Sequence, residues 1–187
     1  MKIPNIITLS RLLFIPLILL TLYSNEPRYL ILSIFFFLIA IATDSIDGYI
    51  ARKFKNQKSK FGTFLDPLVD KMLILSMFFA FSDLGLIPLW LPLIFLFREL
   101  LVTCVRQVCS GEKKVVGANW MGKSKFAMQA IVIIYTQFFL LFESLNIITG
   151  FLTQSIVFYI TLIITTISIV YAINFIWWYK DELLSDL

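Results

Sequence analysis

Four aspartates, grouped as two pairs in two apolar segments, are the residues of this chain best suited to chemistry. Asp44 and Asp47 lie three residues apart, and Asp66 and Asp70 lie four residues apart. On a helix, both spacings place the two acids of a pair on one face. Carboxylates are costly inside a membrane segment and mark functional sites there. Because oxygen ligands suit hard cations, the four acids predict a site for two divalent cations, Mg²⁺ or Mn²⁺.

Small residues and one arginine accompany the acids. Gly48 and Ala51 follow the first pair on the face that carries Asp44, and Gly62 precedes the second pair by one turn. Positions without side-chain bulk allow a large ligand to approach the helix backbone. Arg52 lies one turn beyond Gly48 and can donate a fork of hydrogen bonds to a phosphate. These residue types predict displacement at a phosphorus atom. The chain has no histidine, which excludes an imidazole base.

Alternatives to an enzyme remain open for the acid cluster. The candidate partners for structural ion pairs, Lys71, Arg98 and Arg106, are too few to neutralise four acids. A divalent-cation transporter would use the acids, but it has no need of the small residues or of a rim arginine. An intramembrane prenyltransferase also uses aspartate pairs with Mg²⁺, but its two acid motifs usually lie well apart in sequence. An enzyme acting at phosphorus is therefore favoured over both.

The elements that must position these residues are apolar helices. The chain is 59% hydrophobic with a mean hydropathy of +0.89, whereas soluble domains are about 45–50% apolar. Long apolar runs predict an all-α polytopic membrane bundle of about six transmembrane helices in a single domain over 1–187. The polar residues near the start leave open whether 1–12 lies at the interface or belongs to the first span. The six segments are 5–23, 30–52, 61–82, 87–109, 122–143 and 153–179.

Basic residues predict the orientation of the bundle. The second and fourth links between the segments are rich in lysine, whereas the first, third and fifth links contain one arginine, Arg28. Lysine and arginine are retained on the cytoplasmic side. Both termini and the acid site are therefore expected at the cytoplasmic face of a bacterial inner membrane. No nucleic-acid partner is expected.

The stretch from Asp44 to Asp70 resembles the signature of the CDP-alcohol phosphatidyltransferases, Asp-x-x-Asp-Gly-x-x-Ala-Arg followed by Gly-x-x-x-Asp-x-x-x-Asp. All of its defining residues are present, and the spacer 53–61 is one residue longer than in the usual pattern. The resemblance implies transfer of a phosphatidyl group from a CDP-linked lipid to an alcohol, with release of CMP. The implied roles are metal binding by Asp44, Asp47, Asp66 and Asp70, with Asp70 as general base, and binding of the CDP-lipid by Gly48, Ala51, Arg52 and Gly62.

The chain further resembles one branch of that family, the bacterial-type phosphatidylglycerophosphate synthases, over about residues 2–130. The similar stretches include 3–11, 66–71 and 122–125. This branch uses CDP-diacylglycerol and glycerol 3-phosphate, and family analogy implies a homodimer. Another acceptor, such as an inositol phosphate or serine, is the alternative within the family.

Fixed cations are expected near the carboxylates, because the acceptor carries a phosphate. Arg106, Lys123 and Arg98 are the candidates, in that order, although pairing with Glu99 is an equal alternative for Arg106. Asn5, Thr8 and Arg11 are candidates to close the nucleotide end of the site, or they form the polar face of an interfacial helix. Those two interpretations are equally compatible with the sequence.

Overall fold

A computed structural model describes backbone positions 3–24, 26–53, 60–110 and 120–180. Side chains are described at 11–24, 26–43, 68–69, 71–105 and 126–180. Every regular element in these ranges is an α-helix, which confirms the all-α prediction for this part of the chain. The helices are α1 (Ile3–Leu22), α2 (Pro27–Lys53), α3 (Lys60–Asp83), α4 (Trp90–Ser110), α5 (Trp120–Ser144) and α6 (Gly150–Trp178).

These helices follow the six apolar segments of the sequence within a few residues. Pro27 begins α2 at the first helical position, where the missing N–H of proline removes no hydrogen bond. Helix α1 runs without a break through residue 12, so the polar N-terminal residues share one helix with the first apolar run. Whether that first part lies at an interface stays a prediction.

The chain divides into two compact units. Unit 1 comprises Met1–Ala80 and Ile133–Thr153, and unit 2 comprises Phe81–Val132 and Gln154–Leu187. Helices α1 and α2 belong to unit 1 and α4 belongs to unit 2, while α3, α5 and α6 contribute residues to both. All four predicted metal ligands belong to unit 1.

Within unit 1, α1 and α2 pack as an antiparallel pair. Ser33 Oγ on α2 donates a 3.3 Å hydrogen bond to the carbonyl of Ile18 on α1, and the Phe14 and Phe36 ring centroids are 6.2 Å apart. Gln137 Nε2 on α5 donates to Ser33 Oγ at 2.8 Å. Because Ser33 and Gln137 are fully buried, these bonds join three helices through an apolar interior.

Within unit 2, α4 and α6 run in the same direction. Arg98 of α4 bonds to Ser168 of α6, and Val102 of α4 packs with Ala172 and Phe175 of α6. Residue numbers therefore increase together along the two helices. Parallel neighbours fit the predicted topology, in which even-numbered helices all run toward the same face.

Helices α3 and α5 end in the same kind of cap. Gly85 and Asn146 have positive φ angles of 76° and 57°. After each, the next backbone N–H donates to the carbonyl five residues earlier at 2.9 Å. This left-handed cap satisfies carbonyls of the last helical turn. It ends each helix without an unpaired backbone group at that position.

Large apolar side chains are exposed on all six helices, as shown by Leu20 at 71%, Phe97 at 64% and Trp178 at 84%. Soluble monomers rarely expose contiguous apolar surface on this scale. In the described part of the chain, Phe126–Ser144 and Gly150–Trp178 are long and apolar enough to cross a membrane. Together, these observations indicate membrane association, while the number of spans stays a prediction.

Candidate functional site

Both acid pairs lie on continuous helix, one pair near the end of α2 and the other near the start of α3. At 1.5 Å per residue, Asp47 and Asp44 lie roughly 9 and 14 Å before the end of α2. Asp66 and Asp70 lie roughly 9 and 15 Å after the start of α3. Consecutive helices thus carry the pairs at similar distances along their axes. That the two pairs meet at one depth stays a prediction. The four side chains lie outside the described residues, so their mutual geometry stays a prediction.

The other predicted site residues are also helical, and their side chains, apart from those of Arg11 and Arg98, lie outside the described ones. These positions are Asn5 and Thr8 in α1, Gly48, Ala51 and Arg52 in α2, Gly62 in α3, Arg106 in α4 and Lys123 in α5. Where side chains are described, no three histidine, cysteine or acidic residues form a group that could hold a metal ion. The two-cation site of the four aspartates stays a prediction.

Arg98 is the predicted acceptor ligand whose side chain the structure describes. It is 5% exposed, and its Nε donates a 2.9 Å hydrogen bond to the carbonyl of Ser168 on α6. Its Nη1 forms a 2.8 Å ion pair with Glu99 Oε1, and its guanidinium carbon lies 5.1 Å from the Tyr171 ring centroid. A neighbouring carboxylate thus balances its charge, and its donors join α4 to α6. This geometry fits a buried, paired cation that holds two helices together.

The α4–α6 interface continues from Arg98 toward the end of α4. Val102 packs with Ala172 and Phe175, and the ring centroids of Phe175 and Tyr179 are 4.9 Å apart. Arg106 lies one turn beyond Val102 on α4. The contacts of Arg98 and Val102 therefore fix the part of α4 that carries Arg106.

Arg11 is buried to a degree that the sequence did not indicate. It is 1% exposed and is the largest of the fully buried side chains in the described part of the chain. An exposed polar face is therefore excluded for this residue, although Asn5 and Thr8 are not tested. Its position inside a 20-residue apolar helix was the available signal, because an arginine at that depth needs a partner.

Comparison with known proteins identifies what this arrangement resembles. Residues 1–167 match the profile of the CDP-alcohol phosphatidyltransferases. A CDP-diacylglycerol–glycerol-3-phosphate 3-phosphatidyltransferase of Bacillus subtilis is 35% identical over 144 residues, covering 71% of this chain and 74% of the relative. A protein of the same name from Rickettsia bellii is 38% identical over 131 residues, covering 68% and 70%.

Proposed function

The chain belongs to the CDP-alcohol phosphatidyltransferase family, and we propose that it transfers the phosphatidyl group of CDP-diacylglycerol to glycerol 3-phosphate. The products are phosphatidylglycerophosphate and CMP. The observation that carries this proposal is the family match over residues 1–167, which contains the complete acid signature. The names of the Bacillus and Rickettsia relatives support the choice of acceptor. The match extends across residues of both units, which supports one catalytic domain over 1–187.

Asp44, Asp47, Asp66 and Asp70 are the residues that would hold two divalent cations, Mg²⁺ or Mn²⁺. The donor set fits such ions, because it consists of oxygen atoms. The two pairs also lie at similar distances from the end of α2 and from the start of α3. When bound, the ions supply positive charge opposite the diphosphate. Asp70 accepts the proton of the attacking hydroxyl, whose oxygen forms the new bond to the phosphatidyl phosphorus. The bond from that phosphorus to CMP breaks, and CMP leaves.

Substrate binding falls to the small residues and polar groups around the acids. Gly48, Ala51 and Gly62 leave room for the cytidine and the diphosphate beside the backbone. Arg52 donates hydrogen bonds to the diphosphate. Asn5 and Thr8, in the first turns of α1, close the nucleotide end.

The phosphate of the acceptor needs cations that are available to it. The sequence offers Arg106, Lys123 and Arg98 as candidates, in that order. The Arg98 side chain already bonds to Ser168 and Glu99, so we propose Arg106 and Lys123 as the direct ligands. Arg98 would then orient the part of α4 that carries Arg106.

We also propose that all six helices span the bacterial cytoplasmic membrane, with both termini and the site on the cytoplasmic side. Exposed apolar side chains on every helix support this placement. The antiparallel α1–α2 pair and the parallel α4–α6 pair support the alternation of direction that six spans require. The family resemblance suggests that the active form is a homodimer.

The test is incubation of the purified protein with CDP-diacylglycerol, Mg²⁺ or Mn²⁺, and one acceptor at a time. The acceptors are glycerol 3-phosphate, an inositol phosphate and serine, and the measured products are CMP and the new lipid. We expect CMP release with glycerol 3-phosphate. Release with a different acceptor alone would overturn the choice of glycerol 3-phosphate. Metal uptake into liposomes without any CMP release would instead support a transporter.

A further inference from the structure

The alignment of α1 with α2 indicates which residues of α2 lie near Arg11 of α1. Ser33 bonds to Ile18, and Phe36 faces Phe14 across the same antiparallel contact. Extending this register one turn toward the start of α1 places Arg11 opposite Ile39 and Ala40. Ala40 is fully buried, and its small side chain leaves space between the two helices for a long one.

From this level, Asp44 is about one helical turn, roughly 6 Å, further along α2. Side chains of an α-helix lean toward the N-terminus of their own helix. Because α1 and α2 are antiparallel, the N-terminal direction of α1 is the C-terminal direction of α2. The Arg11 side chain therefore leans toward the level of Asp44, and the distance is within the reach of an extended arginine.

Burial makes a carboxylate partner the expected one. Arg11 is 1% exposed, and a guanidinium taken out of water requires an opposite charge or several acceptors. Apart from the four aspartates, the carboxylates of unit 1 belong to Glu26 and Glu143. Glu26 is exposed beside the start of α2. The Glu143 carboxylate is so close to Gly150 that a Cβ added there would lie 2.6 Å from its Oε1.

We propose that Arg11 is a positioning residue of the metal site, paired with Asp44 at the inner end of the acid cluster. Its charge offsets the mutual repulsion of the aspartates in the metal-free protein. This role rests on the proposed use of the four aspartates as metal ligands. It differs from the nucleotide-closing role that the sequence suggested, because it requires no contact with substrate.

The test is a double-mutant cycle on the purified, metal-free protein, with melting temperature as the readout. Arg11→Met is expected to lower the melting temperature by about 6–20 °C, because it leaves a buried charge without its partner. In an Asp44→Asn background the same substitution is expected to lower it by less than half of that amount. Equal losses in the two backgrounds would overturn the pairing.

A matched cycle separates pairing from general packing. Glu143→Gln removes a carboxylate of the same unit whose neighbour is Gly150, so its effect should add to that of Arg11→Met. Coupling of equal size to Glu143 would overturn the assignment to Asp44. Should Arg11→Met fail to fold, Arg11→Lys allows the same pair of cycles with the charge retained, and the expected coupling to Asp44 is then smaller than that of Arg11→Met but still present.

A metal titration supplies a second readout that a packing role would not change. Adding Mn²⁺ should raise the melting temperature of Arg11→Met by more than that of the unmodified protein, because the ions then relieve the repulsion that Arg11 no longer offsets. Equal metal-induced shifts would count against the proposal. Both readouts need neither substrate nor turnover, so they can fail while CMP release with glycerol 3-phosphate succeeds.

Discussion

Two arginines are buried in the described helices, one in each unit, and they differ in where their neutralising charge comes from. Arg98 in unit 2 has Glu99 as its sequence neighbour and ion-pair partner at 2.8 Å. Arg11 in unit 1 has no acid near it in sequence, and the carboxylate that we propose as its partner, Asp44, lies on another helix. A locally balanced arginine can join two helices without affecting chemistry elsewhere. An arginine whose counter-charge is a carboxylate far away in sequence instead links its own helix to the helix that carries this carboxylate.

The structure also changes how the sequence alone interprets both arginines. Arg98 was a candidate ligand for the acceptor phosphate, and its described contacts are those of a helix–helix bond. Arg11 was a candidate to close the nucleotide end or to lie on the polar face of an interfacial helix, and it is fully buried in α1. Burial alone therefore does not distinguish an arginine that joins two helices from one that belongs to the proposed metal site. The location of its counter-charge does.

The largest expected effect is a loss of turnover when an aspartate of the acid pairs in unit 1 is replaced, compared with an aspartate at the other end of α3. Asp70→Asn is expected to lower kcat by about 10²–10⁴-fold, because it removes the proposed base. Binding of CDP-diacylglycerol, measured directly, should remain largely intact. Asp83→Asn is the control, since Asp83 is exposed at the other end of α3. Near-normal turnover by the Asp70 variant would remove this residue as the base.

The next effect concerns the locally balanced arginine. Arg98→Met is expected to destabilise the protein by about 3–5 kcal/mol, because it leaves Glu99 largely buried without its ion-pair partner. The measurement is chemical or thermal unfolding, and exposed Arg28→Met should change stability by about 0.5 kcal/mol or less. Unchanged stability together with a raised KM for glycerol 3-phosphate would return Arg98 to the acceptor site.

A smaller effect, limited to the KM for one substrate, is expected at Arg106, near the C-terminal end of α4. Arg106→Gln should raise the KM for glycerol 3-phosphate by about tenfold or more, since a hydrogen bond to a charged group is worth about 1.5–3 kcal/mol. The KM for CDP-diacylglycerol and the melting temperature should change little. Lys180→Gln is the control, because Lys180 is exposed. Its Nζ lies 4.5 Å from the centroid of the Trp177 ring. An equal rise in both KM values would count against a specific phosphate contact.

The smallest effect is expected from the neutral polar contact of unit 1. Ser33→Ala removes the acceptor of the Gln137 amide and the donor to Ile18, which should cost about 0.6–1.7 kcal/mol. Exposed Ser24→Ala should be close to neutral. A loss at Ser33 as large as that of Arg98→Met would show that charge is not what distinguishes the two buried contacts.

The fold was largely predictable because its signals are local. Apolar runs of membrane-spanning length gave six segments, and six helices occupy the same positions in the described part of the chain. The acid spacing likewise depends on helix geometry alone, and both pairs do lie on helix. The contacts of Arg98 could not be predicted in this way, because Ser168 and Tyr171 lie far away in sequence and meet it through the packing of α4 on α6.

The sequence by itself determined the six apolar helices, the family and the helical placement of the two aspartate pairs. Apolar runs and short motifs carry this information in residues that are close together in the chain. The tertiary structure decided which arginine is already neutralised and which is buried beside the acid-bearing helix. The physical reason is that a buried charge depends on groups brought close by packing. Neither the Ser168 carbonyl bonded to Arg98 nor the full burial of Arg11 is marked by any local pattern.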